Sequence, residues 1–85
     1  MNPIALVLLL VGYSLALPIA SKMREVVRTQ NRLAITGHQA GLLIAATGWV
    51  VGGRPPLIWV HLLWAIAAII WFNWVGGRAK SRAQP

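Results

Sequence analysis

Two histidines, His38 and His61, lie inside long apolar stretches of this 85-residue sequence, and no other residue there changes charge near neutral pH. An ionisable group placed in a bilayer is costly to keep and is a functional hypothesis from the outset. A neutral imidazole offers three kinds of chemistry in such a place. It can be an axial ligand to a haem iron or to the magnesium of a chlorophyll-type pigment. It can pass a proton. It can join two helices by a hydrogen bond, with Gln39, Asn73 or a backbone carbonyl as partner. His38 falls one to two turns past the start of its stretch and His61 about one turn past the start of the next. In antiparallel helices the rise then separates them by on the order of 15–20 Å. At that spacing each would take its own cofactor or partner, and one metal would not take both.

Other reactive constellations are missing. Glu25 is the only acid, so there is no carboxylate pair and no acidic metal cluster. Ser14, Ser21 and Ser81 have no base with an orienting acid. Without cysteine there is no disulfide, iron–sulfur cluster or thiolate zinc site. No glycine-rich loop follows a strand. The chain therefore reads as a non-enzyme. Its net charge of +7 comes from residues that flank apolar runs. Such residues set topology and attract anionic lipid headgroups, so nucleic acid is not an expected partner.

The elements that must position the histidines are three apolar runs, at about residues 3–21, 33–51 and 57–75. About 20 apolar residues at about 1.5 Å each cross a hydrocarbon core of about 30 Å. Each run is just long enough. The expected fold is an all-α membrane protein of three transmembrane helices, one integral unit over residues 1–85. Asn2-Pro3 is a helix start signal, and Pro18 is expected to kink or end the first span. The first run has no basic residue before it and carries Pro18 at the −3 position of its best cleavage site, so it reads as a retained span and not a signal peptide. Gly52-Gly53 and Gly76-Gly77 are expected to stop the second and third spans. The short Arg54-Pro55-Pro56 connection predicts a tight antiparallel hairpin between them. In the segment 22–32, Met23, Val26 and Val27 fall on one face of a short helix, which could lie on the membrane surface with Arg24 and Arg28 toward headgroups.

Charge sets the orientation. Lys22, Arg24, Arg28 and Arg32 flank one side, and Arg78, Lys80 and Arg82 of the tail 78–85 must share it, against Arg54 alone on the other. The expectation is N-out/C-in, in a bacterial inner (cytoplasmic) membrane with anionic headgroups on the inner side. Trp49, Trp59, Trp71 and Trp74 are placed as interface anchors.

Gly37, Gly41, Ala45, Gly48 and Gly52 fall within about an 80° arc of the second span and include two G-x-x-x-G pairs. A strip without side chains admits another helix closely. Gly12, Ala16 and Ala20 offer a complementary face on the first span. The leading expectation is a non-catalytic accessory subunit of a larger membrane complex, respiratory or photosynthetic, that packs through this strip against other subunits or copies of itself. Two alternatives stand beside it. Three spans, N-out/C-in topology and a basic tail in under 100 residues resemble three-span phage holins. That resemblance implies a self-assembling lesion or small channel, lined by Thr36, His38, Gln39, Thr47 and Asn73. The other alternative is a pigment or haem binder through His38 or His61.

Overall fold

The computed structural model describes residues 2–83, and these form four helices and no strand. They are α1 (Pro3–Ala20), α2 (Met23–Thr29), α3 (Arg32–Val51) and α4 (Leu57–Ala83). Three of them, α1, α3 and α4 over Leu57–Arg78, are long and apolar enough to cross a membrane. The chain is thus a helical protein suited to membrane integration.

Local chemistry explains the helix ends. Asn2 Oδ1 accepts the Ile4 N–H at 2.9 Å, and Pro3 follows at a position where no N–H is needed. The helix continues through Pro18 for two residues to Ala20. The proline lacks an N–H only within the last turn, where Ser21 Oγ donates to the Pro18 carbonyl at 2.7 Å. The end of α3 follows the sequence expectation. Gly53 takes φ +84°, its N–H reaches Val50 O at 3.2 Å, and the Arg54 N–H reaches Trp49 O at 2.8 Å. This paired closure needs a residue in the left-handed region, which glycine enters without strain.

Helix α2 departs from expectation. Val26 and Val27 are buried with Ile35, Ala68 and Phe72 in one cluster, so the apolar face expected on the lipid surface faces protein instead. The cause is the abrupt end of α2. Gln30 sits at φ 54°, the Asn31 N–H bonds Val26 O at 3.1 Å, and α3 begins at Arg32 with Asn31 as its cap. The chain turns back at once and folds α2 over the end of the bundle. On its outer side Arg28 donates to Glu25 through two nitrogens, and this bond holds the Glu25 carboxyl below the usual carboxylate range.

Helix α4 also departs from expectation, because it runs past Gly76-Gly77 to Ala83. Among the described glycines only Gly53 has positive φ, so neither Gly76 nor Gly77 acts as a stop. Gly76 serves a different purpose. Gln30 Nε2 donates to Val27 O at 2.8 Å and to Phe72 O at 3.0 Å. A Cβ on Gly76 would collide with the Gln30 side-chain amide, reaching its Cδ at 3.0 Å. Gly76→Ala is therefore expected to cost about 1 kcal/mol by overpacking. In a Gln30→Gly background the same change should stabilise by about 0.5–1 kcal/mol, the ordinary helical preference. Unfolding of the full chain by SDS in mixed micelles measures both, and an unchanged sign in the two backgrounds would contradict the contact.

Helices α1 and α3 form the most extensive contact, while α4 touches α3 and α2. Along the seam Gly12 meets Ala45 and Gly41, Leu8 and Leu9 meet Gly48, and Ile19 meets Gly37, an antiparallel register. The strip expected to receive a partner thus receives α1.

Candidate functional site

The close α1–α3 seam brings Tyr13, next to Gly12, into hydrogen-bond reach of both α3 and α4. His61 is buried on α4. Its Nδ1 lies 2.8 Å from the Leu57 carbonyl, which can only accept, so Nδ1 carries the proton. Nε2 is then an acceptor, and the Tyr13 hydroxyl donates to it at 2.6 Å. The phenol oxygen in turn accepts the Trp49 indole N–H at 2.8 Å. Three bonds run in one direction, from Trp49 of α3 through Tyr13 of α1 and His61 of α4 to Leu57. Tautomer and direction follow from partner chemistry alone.

A second set surrounds His38, which is 0% exposed. Gln39 Nε2 donates to the Ala65 carbonyl at 2.9 Å, and this fixes the amide so that Oε1 faces His38 Nδ1 at 2.8 Å. His38 Nδ1 is therefore the donor. Nε2 is left as a bare lone pair with no hydrogen-bond partner among the described residues. The Trp64 ring stands edge to face with His38, at 5.6 Å between centres, and lies 6.4 Å from the centre of His61. Those two distances place the histidines well inside the 15–20 Å expected from helix rise. The reason is register. Ala46 and Ile58 line one cleft and Gln39 reaches Ala65, so α4 starts below the end of α3 and carries His61 deeper.

This arrangement ties three helices together and leaves little room for ligation. An axial ligand needs a free nitrogen with an open face beside it. His61 Nε2 is held by Tyr13, and the His38 ring is sealed by its neighbours. His61 borders the cleft between α3 and α4 but has both ring nitrogens engaged, and the His38 ring is buried, so in this packing neither offers a free nitrogen at an open face. Among the polar residues considered for a channel, Thr36 and Thr47 lie on one exposed face of α3 and His38 lies on a buried one. Thr36 and Thr47 bond their own helix carbonyls, Arg32 O and Leu43 O, on the outside of α3, while His38 is buried.

The remaining sequence candidates fall in three places. Gly41, Ala45 and Gly48 are buried in the seam, Gly37 is half-buried beside Ile19, and Gly52 caps α3. Trp59, Trp71 and Trp74 are exposed on α4, with the Arg78 guanidinium 4.8 Å over the Trp74 ring. Trp49 is half-buried with its N–H turned inward. Lys22, Arg24, Arg28 and Arg32 are exposed, as are Arg78 and Lys80. The Gln30–Phe72 bond puts both basic groups at one end of the bundle. The Arg82 side chain lies outside the described residues.

Sequence pattern does not single out Tyr13 or Gln30 as site residues. The available signal for Tyr13 was its place as the only tyrosine, next to a glycine in an apolar run. No family model, curated protein or solved structure matches the chain.

Proposed function

We propose that the chain is a small non-catalytic structural subunit of a larger membrane protein complex, and that α4 carries its contact with a neighbouring subunit or a second copy. Respiratory and photosynthetic assemblies are the first complexes to test. The observation that supports this reading is the outward face of α4. Trp59, Leu63, Ile66, Ile70 and Trp74 recur at helical spacing and are 67%, 70%, 53%, 62% and 59% exposed. Helix α1 packs on α3 and leaves this face uncovered. Tryptophan at both ends suits a packed interface, where aromatic anchors carry much of the binding energy.

The glycine strip has a different role in this proposal, holding α1 so that α3 and α4 can act as a rigid hairpin about Arg54-Pro55-Pro56. The basic end faces the cytoplasm of a bacterial inner membrane, N-out/C-in, as loop charge directs. A photo-crosslinking residue at Leu63 in native membranes is expected to yield an adduct, and one at the equally exposed Leu10 of α1 is not. A tagged copy is expected to migrate above monomer on a native gel. Migration only as free monomer, with no Leu63 adduct, would reject the subunit reading. In intact cells an outside thiol reagent should label Arg54→Cys and spare Lys80→Cys.

A further inference from the structure

We propose that one anionic phospholipid binds in the cleft where α1 ends and α3 begins. The cleft holds about 310 Å³. Pro18, Ile19 and Ala34 form its apolar side, and Lys22, Glu25 and Thr29 its polar side. Two of those polar groups are already engaged. Thr29 Oγ1 donates to the Glu25 carbonyl at 2.8 Å, and the Glu25 carboxylate is held by Arg28. The Lys22 ammonium has no ion-pair partner among the described residues and is the free charge on the rim.

Depth matches the ligand. Helix α1 leaves its membrane-spanning stretch at Ala20, and α3 enters its own at Arg32. The cleft therefore sits where lipid phosphates and the first acyl carbons sit. A phosphate can meet Lys22 while a chain lies along Pro18, Ile19 and Ala34. Soluble phosphate has nothing to place on that apolar side, so the chemistry selects a lipid of the bilayer. The general attraction of basic flanks for anionic membranes is diffuse. The cleft adds a defined site with one occupant, and it does not depend on the subunit reading because a single purified chain suffices to test it.

The test uses the full chain in non-ionic micelles doped with phosphatidylglycerol or phosphatidylcholine, read by native mass spectrometry. One phosphatidylglycerol per chain is expected to be retained, in preference to phosphatidylcholine. Lys22→Gln should lower that retention about fivefold, as expected for one lysine at an anionic surface. Arg24→Gln, exposed on the same segment but outside the cleft, should change it less than about twofold, because a solvated charge away from the bound phosphate is screened. Glycerophosphoglycerol, the same headgroup without chains, should not displace the lipid. No loss with Lys22→Gln, equal losses in the two variants, or displacement by the chain-free headgroup would each overturn the proposal. Unchanged elution and helical circular dichroism in both variants would show that the fold is intact.

Discussion

Gly12→Ala is expected to force α1 away from α3 and to destabilise the bundle by about 2–3 kcal/mol, at the upper end for overpacking. The added Cβ would lie 2.5 Å from Ala45 N, 2.7 Å from Gly41 O and 2.9 Å from Ala45 Cα. All three are backbone atoms of a helix, so no side chain can swing aside and the two axes must part. Association in lipid rests on van der Waals packing more than on a hydrophobic drive, so lost contact is not offset by transfer to an apolar solvent. Gly41→Ala meets the same wall from the other side, at 2.7 Å from Gly12 O and 2.8 Å from Ala16 N. Its cost should be similar. The double variant should cost less than the sum, since helices already parted by the first methyl have room for the second. Gly77→Ala is the internal control. Nothing lies within 4 Å of its added methyl, and the change should stabilise α4 by about 0.5–1 kcal/mol. SDS unfolding in mixed micelles gives each value. Energy transfer between labels on α1 and α3 reports whether the axes have moved. Strict additivity of Gly12→Ala and Gly41→Ala would argue against a shared contact.

The same residues mark where the sequence was readable. Three spans follow from length and hydropathy, and α3 ends at Gly52-Gly53, where Gly53 adopts the positive φ that makes glycine a stop. The small faces of α1 and α3 were visible as patterns, but a pattern does not say which helix will fill it. Tertiary contact settled that question in favour of α1. Gly76-Gly77 shows the converse. It has the composition of a stop, yet a glycine can also mark close approach, and the Gln30 amide that approaches Gly76 comes from 46 positions earlier. No local signal carries that information. Likewise the spacing of Val26 and Val27 shows that they share a face but not what covers it. Helix rise alone overstates the histidine separation because it fixes depth along one axis, whereas the offset between α3 and α4 depends on how residues 52–56 return the chain. The hydrogen-bond chain through Tyr13 was hardest to see. Its three side chains lie 13, 49 and 61 residues along the sequence and meet only after both interfaces have formed.

Removing the hydroxyl of that chain with Tyr13→Phe is the second large effect. The change keeps the ring and deletes one oxygen, which both donates to His61 Nε2 and accepts from Trp49 Nε1. Two polar atoms on two other helices lose their partner together. Single interhelical hydrogen bonds in membranes average about 0.6 kcal/mol and reach about 1.7. Loss of two should cost about 1–3 kcal/mol, toward the upper part because the stranded Nε2 belongs to a buried histidine. Trp49→Phe deletes only the first bond and leaves Tyr13 donating to His61. Judged by hydrogen bonding, it should cost less than Tyr13→Phe. The ordering tests the directional chain more sharply than either value alone, because independent contacts would not make the middle residue dominant. Double variants complete the test. With Tyr13→Phe in place, the further cost of Trp49→Phe should fall to its packing contribution, since its N–H has already lost its acceptor. The Trp49 indole N–H proton offers a readout free of packing effects on stability. Its resonance should move upfield in Tyr13→Phe as the bond is lost, while that of the exposed Trp59 stays in place. Stability within about 0.3 kcal/mol of the parent, half the average single bond, together with an unmoved Trp49 resonance, would mean that the phenol does not join the three helices.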